Sequence, residues 1–176
     1  MLTDETVDKV TVVAFDIFGT VADMSSASWR DREAYDRHLR ACRQADCWMP
    51  LKLPKDWERL PLFADSIEGI DRLRTKVRCV TLSNAPLDLQ ASLFDFHKLF
   101  WDFLVPVEAF QLFKPDPRVY VQACKVLQTE PSRVLMVTAN EDFGDLGGSA
   151  KNGMPSQLIR GEEVPTITAL AERFGV

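Results

Sequence analysis

Asp16 closes a short apolar run, Val10 to Phe15, and Gly19 follows within the same turn. A carboxylate at a strand end beside a glycine can be presented to a substrate, because glycine permits a tight turn and close backbone approach. An aspartate in that place can equally serve the turn itself. Further polar groups come in order along the chain: Ser83-Asn84 after Val77 to Leu82, Lys114 within Phe113-Lys114-Pro115-Asp116, and Thr138-Ala139-Asn140 after Val134 to Val137, with Asp142 and Asp145 close behind. Together they supply the parts of carboxylate-nucleophile chemistry. These are a nucleophile, a cation that keeps it ionised, and hydroxyl and amide donors for an anionic substrate or leaving group. The proline after Lys114 holds that lysine in extended backbone, away from a helix surface. Plainer readings stand beside these: Ser83 and Asn84 as caps ahead of Pro86, Lys114 as a surface lysine, Tyr120 as a packing residue, and Asp142 or Asp145 as the cap of the next helix.

Elements must bring these residues together, and the pattern supplies them. The runs Val10 to Phe15, Val77 to Leu82, Phe103 to Val105 and Val134 to Val137 are apolar and mostly β-branched, as strands buried on both faces should be. Helical patterns lie between them. Ser66 is placed as an N-cap ahead of Ile67, Ile70 and Leu73, Pro86 as a first helical residue before Leu87, and Pro117 as the opening of a helix through Val119, Ala123 and Leu127. Strands alternating with helices predict an α/β fold, a doubly wound parallel sheet with right-handed crossovers. In such sheets ligands bind at the carboxyl ends of the strands, which is where the polar residues fall. Residues 21–61 break the alternation with a long helical pattern (Trp29, Tyr35, His38, Leu39, Cys42) and then a proline-punctuated stretch. The expected organisation is a core of residues 1–20 and 62–176, with 21–61 inserted over the sheet end.

Composition narrows the function classes. A chain of 176 residues can bury one proper core. Its net charge of −5 opposes a nucleic-acid partner, since phosphate contacts need clustered Lys and Arg. The basic residues between Trp29 and Arg43 alternate with acids, as on a solvated helix face. No apolar stretch is long enough for a bilayer, and the acidic start lacks a secretory pattern, so the expectation is a cytoplasmic protein that acts on a small molecule. Cys42, Cys47, Cys79 and Cys124 have no metal or redox spacing and read as structural. No cofactor motif appears.

FDIFGTVAD after the first strand, TLSN after the next, LFKPDPRVY before a helix, and MVTAN followed by GDLGGSAKNGM together resemble the four motifs of the haloacid dehalogenase superfamily. The resemblance runs from Val12 to Met154 and is nearest to the type II 2-haloacid dehalogenase branch; four motifs in order are a specific signal where one would be weak. It implies a Rossmann-like core with a helical cap. It also implies that Asp16 attacks the halogen-bearing carbon and forms an ester that water hydrolyses. Lys114 would keep Asp16 ionised, and Asp145, which best matches the Asp-x-x-Gly pattern with Asp142 as alternative, would help position water. Thr20 would bond near the nucleophile, while Ser83, Asn84, Tyr120 and Asn140 would line the substrate or halide site. No metal is implied.

Phosphatases of the superfamily carry a second aspartate two residues after the nucleophile, as general acid for the leaving alkoxide; here that position is Phe18. A halide leaves without a proton, so Phe18 favours carbon–halogen chemistry. The stretch between Asp16 and Ser83 is shorter than the type II enzymes devote to their cap, which implies a reduced cap. Arg40 and Arg43 are the nearest candidates for the cap arginine that binds a substrate carboxylate. Monomer and homodimer both remain open. Two rivals are a magnesium-dependent phosphatase, with Asp16 and Asp142 or Asp145 as metal ligands, and a cap-truncated relative that binds without catalysis.

Overall fold

The structure, a computed structural model, describes residues 2–45, 49 and 53–176. Helix α1 (Asp4–Lys9) leads into β1 (Val12–Phe15), and α2 (Trp29–Ala45) follows it. Four helix–strand units follow: α3 (Ser66–Arg74) with β2 (Arg78–Thr81), α4 (Leu87–His97) with β3 (Phe103–Leu104), α5 (Pro117–Leu127) with β4 (Val134–Thr138), and α6 (Asp145–Ala150) with β5 (Ser156–Leu158). Helix α7 (Ile167–Arg173) comes last. The strands form one parallel sheet in the order β3-β2-β1-β4-β5, the α/β doubly wound architecture expected from the sequence.

β1 and β4 are buried along their whole length, which is why they read as unbroken apolar runs. Alternate side chains feed two layers. Val13, Phe15, Leu135 and Val137 pack with Ile70 and Leu73 of α3 and Ile167 and Leu170 of α7. Val12, Ala14, Val134 and Met136 face Val119, Ala123 and Leu127 of α5 on the other side. Central β1 therefore ends between two covered faces, and its next residue, Asp16, emerges where the loops after β2 and β4 converge.

Pro117 opens α5 as expected, with the Asp116 carboxylate accepting from the Arg118 N–H at 2.8 Å. Ser66 differs from expectation: it lies inside the first turn of α3, and its hydroxyl donates to the Val21 carbonyl at 3.0 Å. Asp65 precedes it but caps another helix, accepting from the Ile167 N–H at the start of α7 at 2.6 Å. Pro86 sits one residue before α4 rather than within it. Cys42, Cys79 and Cys124 are buried; Cys47 lies outside the described residues.

The chain between β1 and α3 leaves and returns as an antiparallel pair, with Asp23 N–H donating to the Pro61 carbonyl at 2.7 Å and Phe63 N–H to the Val21 carbonyl at 3.1 Å. Tyr35, Leu39 and Cys42 turn inward from α2, while Trp29 stays 67% exposed. Tyr35 and Trp57 meet Phe18 in an edge-to-face triangle with centroids 5.2 to 5.4 Å apart. Each such contact adds about 0.5–1.5 kcal/mol beyond its buried area, which fixes α2 over the turn after β1.

Gly69 sets the approach of α3 to α7: a Cβ there would lie 2.7 Å from the Ile167 carbonyl carbon and 2.8 Å from the Thr168 nitrogen. Backbone cannot swing aside as a side-chain tip can. Gly69→Ala is therefore expected to cost about 1–3 kcal/mol despite the better helix propensity of alanine. Gly147→Ala, whose Cβ would meet nothing within 4 Å, serves as the control that holds or gains stability in the same urea titration.

Candidate active site

Asp16 is held at the end of β1 by its N–H, which donates to the Val137 carbonyl at 2.9 Å. Its carboxylate is 11% exposed and takes two donors: Lys114 Nζ on Oδ1 at 3.0 Å and Asn140 Nδ2 on Oδ2 at 3.0 Å. Lys114 Nζ also donates to Asp145 Oδ2 at 2.7 Å, and the Tyr120 hydroxyl donates to Asp145 Oδ1 at 3.1 Å. The result is a buried chain from Asp16 through Lys114 to Asp145 and Tyr120, two carboxylates around one ammonium.

Each link has a local cause. Asn84, just beyond β2, grips the Lys114 backbone from both sides, accepting its N–H at 2.8 Å and donating to its carbonyl at 3.1 Å. Thr20 accepts the Ala139 N–H at 2.9 Å, tying the loop after β1 to the loop after β4. Behind Thr20, Arg160 donates to its carbonyl at 2.9 Å and pairs with Asp65 at 2.6 Å, so the same loop is also joined to the start of α3. Gly19, at φ +81°, takes the turn in the left-handed region and keeps a Cβ away from the Asn140 amide. Gly148 lets α6 seat closely, since a Cβ would come within 2.5 Å of the Pro115 carbonyl oxygen and 2.8 Å of the Tyr120 ring. That is a physical reason for glycine three residues after Asp145.

Burial raises the Asp16 pKa above the ordinary range, and the charge of Asp145 adds to the rise; Lys114 opposes both. Burial also works against the Lys114 charge, but Asp145 and Asp16 outweigh it and hold that pKa above its usual value. The Tyr120 phenol is pushed up by burial and by Asp145, so it stays a hydrogen-bond donor.

Over this cluster lies a cavity of about 200 Å³. Asp16, Asn84, Lys114, Asn140 and Asp145 line its floor, and Arg32, Tyr35, Asp36 and Leu39 of α2 form the roof. Of the residues singled out in the sequence, Thr20, Ser83 and Tyr120 are buried behind the wall and do not line it. The Ser83 hydroxyl accepts the Ala85 N–H at 3.2 Å, a turn-capping contact. Asp142 is exposed, and Asp145 is the aspartate that reaches Lys114.

The arginine in the roof is neither Arg40 nor Arg43. Both are exposed, and Arg43 donates instead to the Phe143 carbonyl at 3.1 Å. Arg40 stands off the inward stripe of α2, while Arg43 is on that stripe but about 16 Å further along the axis than Arg32, at 1.5 Å per residue. Arg32 and Asp36 were legible in principle, because with Tyr35 and Leu39 they form a helical i, i+3, i+4, i+7 face.

The oxygens around Asp16 do not suit a divalent cation, which asks for several free oxygen ligands. Oδ1 faces the ammonium, and the Asn140 amide nitrogen covers both Oδ2 and the Phe18 carbonyl, at 3.0 and 3.1 Å. Among the described residues no group of three or more His, Cys, Asp or Glu could hold a metal. No helix among them is long and apolar enough to cross a membrane.

A family model described as haloacid dehalogenase-like hydrolase matches residues 29–142. The chain is 24% identical over 202 residues to (S)-2-haloacid dehalogenase 4A of Burkholderia cepacia, covering 90% of this chain and 87% of that protein. Among solved structures it is similar to the L-2-haloacid dehalogenase of Xanthobacter autotrophicus with chloropropionic acid covalently bound (TM-score 0.72, 19% identity, 93% of this chain and 97% of that one). It is also similar to a HAD phosphatase from Thermococcus onnurineus (TM-score 0.68, 20% identity, 94% and 98%). These structural likenesses establish the fold, and that fold serves more than one chemistry.

Proposed function

The chain belongs to the haloacid dehalogenase-like hydrolases, and from that premise we propose that it displaces halide from C2 of a short 2-halocarboxylic acid through an ester on Asp16. The observation that carries this reading is Phe18. Its ring lines the cavity and is locked against Tyr35 and Trp57, in the place where cleavage of a phosphate ester would need a proton donor. Carbon–halogen cleavage needs none, because the departing halide is a very weak base.

In the first step an Asp16 carboxylate oxygen attacks C2; the C–O bond forms as the carbon–halogen pair leaves as halide. In the second, water adds to the Asp16 carboxyl carbon and the acyl C–O bond breaks. The products are the 2-hydroxy acid, a regenerated carboxylate carrying one oxygen from water, and a proton. Lys114 keeps the nucleophile ionised, Asp145 holds Lys114 and stands at the cavity wall to orient water, and Tyr120 fixes Asp145. Asn84 and Asn140 offer amide donors. Arg32, with no side-chain partner among the described residues and a buried, unpaired Nε, is the group to receive the substrate carboxylate. Residues 21–61 serve as a reduced cap that keeps water off the reacting carbon.

Chloride release from 2-chloropropanoate that withstands a chelator, with a single turnover in 18O-water placing label in Asp16, is the expected result. Metal-dependent phosphate release from a generic ester without halide release overturns the reading. The pH profile adds a second check. Only the carboxylate form attacks, and burial with Asp145 raises its pKa. The acid limb of kcat/KM should therefore lie above the ordinary aspartate value of about 3.9. Asp145→Asn, whatever it does to rate, should move that limb down by removing a like charge.

A further inference from the structure

The roof of the cavity carries a charge pair that nothing among the described residues satisfies. Arg32 and Asp36 both line it, four residues apart on one helix, yet neither makes an ion pair or side-chain hydrogen bond with another described residue. The spacing is not the obstacle: one residue along the same helix, Glu33 and Arg37 pair at 3.0 Å. Tyr35, between the two, also lines the cavity without a hydrogen-bonding partner among the described residues.

The charges around the cavity sharpen the point. Asp16, Asp36 and Asp145 face Arg32 and Lys114, and Lys114 is already shared between Asp16 and Asp145 at 3.0 and 2.7 Å. A plain carboxylate substrate bound to Arg32 would leave Asp36 as an unpaired anion on the same roof, and like charges at close range away from bulk water are costly. A substrate with an anion for Arg32 and a cation for Asp36 pairs both. At about 200 Å³ the space is below the roughly 300 Å³ at which drug-sized pockets begin, so the molecule is small.

We propose that the cavity is built for a zwitterionic substrate, a short 2-halo acid that also carries an ammonium group, with Arg32 taking the carboxylate and Asp36 the ammonium. The inference rests on the halide-displacement reading for its chemistry, but the subsite can be tested apart from it. The reaction balances as before: halide leaves with its electron pair, the Asp16 oxygen that attacked C2 becomes the hydroxyl of the amino hydroxy acid, and water replaces that oxygen in Asp16 and releases one proton.

Chloride release from 3-amino-2-chloropropanoate and from 2-chloropropanoate at pH 7 is compared for the wild type and Asp36→Asn. The wild type is expected to favour the amino acid in kcat/KM by about 10- to 100-fold, the range of one charge-assisted hydrogen bond. In Asp36→Asn that preference should collapse, with activity on 2-chloropropanoate rising as the repelling charge is removed. Calorimetry with the products, 3-amino-2-hydroxypropanoate against 2-hydroxypropanoate, reads the subsite without turnover and should show the same preference and the same loss. Equal use and equal binding of the two acids, or a preference that Asp36→Asn leaves unchanged, overturns the zwitterion subsite while the halide reading stands. Absence of halide release with selective, Asp36-dependent binding overturns the halide reading and upholds the subsite.

Discussion

Asp16→Asn is expected to lower halide release by at least about 10⁴-fold, as removal of a covalent nucleophile does, while the protein melts within about 3 °C of the wild type. The two halves of this result have one cause. Burial, reinforced by Asp145, places the folded-state pKa of Asp16 above its unfolded value. A raised carboxylate pKa means that the folded state holds its proton more tightly than the unfolded one, so stability falls as pH rises from the unfolded pKa through the folded one. At neutral pH the ionised Asp16 is thus a cost to the fold, one that attack on carbon requires. Asparagine removes the cost and keeps the shape. Its carbonyl can still accept from Lys114, which retains Asp145 at 2.7 Å, and Asn140 can turn its amide to meet the new NH2. Parallel halide assays and melts check both halves. Retention of more than about one part in 10² of the activity would remove Asp16 from the chemistry.

The same physics explains what could be read from the chain in advance. Asp16, Asn84 and Asn140 were legible because each closely follows a run so apolar that only a strand buried on both faces explains it, and strand ends converge in a parallel sheet. Lys114 and Asp145 lie further from any strand and were legible through the motifs around them, Phe113-Lys114-Pro115-Asp116 and Asp145-Leu146-Gly147-Gly148. Strand β5, Ser156–Leu158, offered no such run: it is three residues long, two of them the polar Ser156 and Gln157, and it lies at the sheet edge. Adjacent polar residues defeated finer reading. Asp65 and Ser66 are both good caps, and which one caps which helix depends on Arg160 and Ile167, about a hundred residues away. The roof was obscured for a related reason. Arginine content did not distinguish Arg32 from Arg40 or Arg43; the inward stripe of α2 separates it from Arg40, and the height of the cavity along α2, set by the Phe18–Tyr35–Trp57 contact, separates it from Arg43.

Lys114→Met should damage both stability and activity, and the damage to stability should depend on pH in a direction the charges dictate. Lys114 is 3% exposed and is the cation that touches both Asp16 and Asp145. Burial disfavours its charge, yet Asp145 and Asp16 together hold its pKa above the ordinary value, so its contribution is fully present below the unfolded lysine pKa and is lost only at strongly alkaline pH. Methionine keeps the stem and removes the ammonium, leaving two buried carboxylates facing each other. Removing one partner of a buried ionic group typically costs about 3–5 kcal/mol, and that loss is expected at pH 7 in urea titrations. At acid pH, where Asp16 binds a proton, the gap to the wild type should narrow. Activity should fall by at least about 10²-fold, and what remains should show an acid limb shifted upward, because Asp16 has lost the charge that favoured its ionised form. The direction of that shift separates an electrostatic role from a packing one, since a methionine that merely loosened the fold would lower the rate without moving the limb. A variant as stable as the wild type at neutral pH would mean that the contacts of Lys114 with Asp16 and Asp145 do not hold the fold at that pH, and would overturn the electrostatic role given to Lys114.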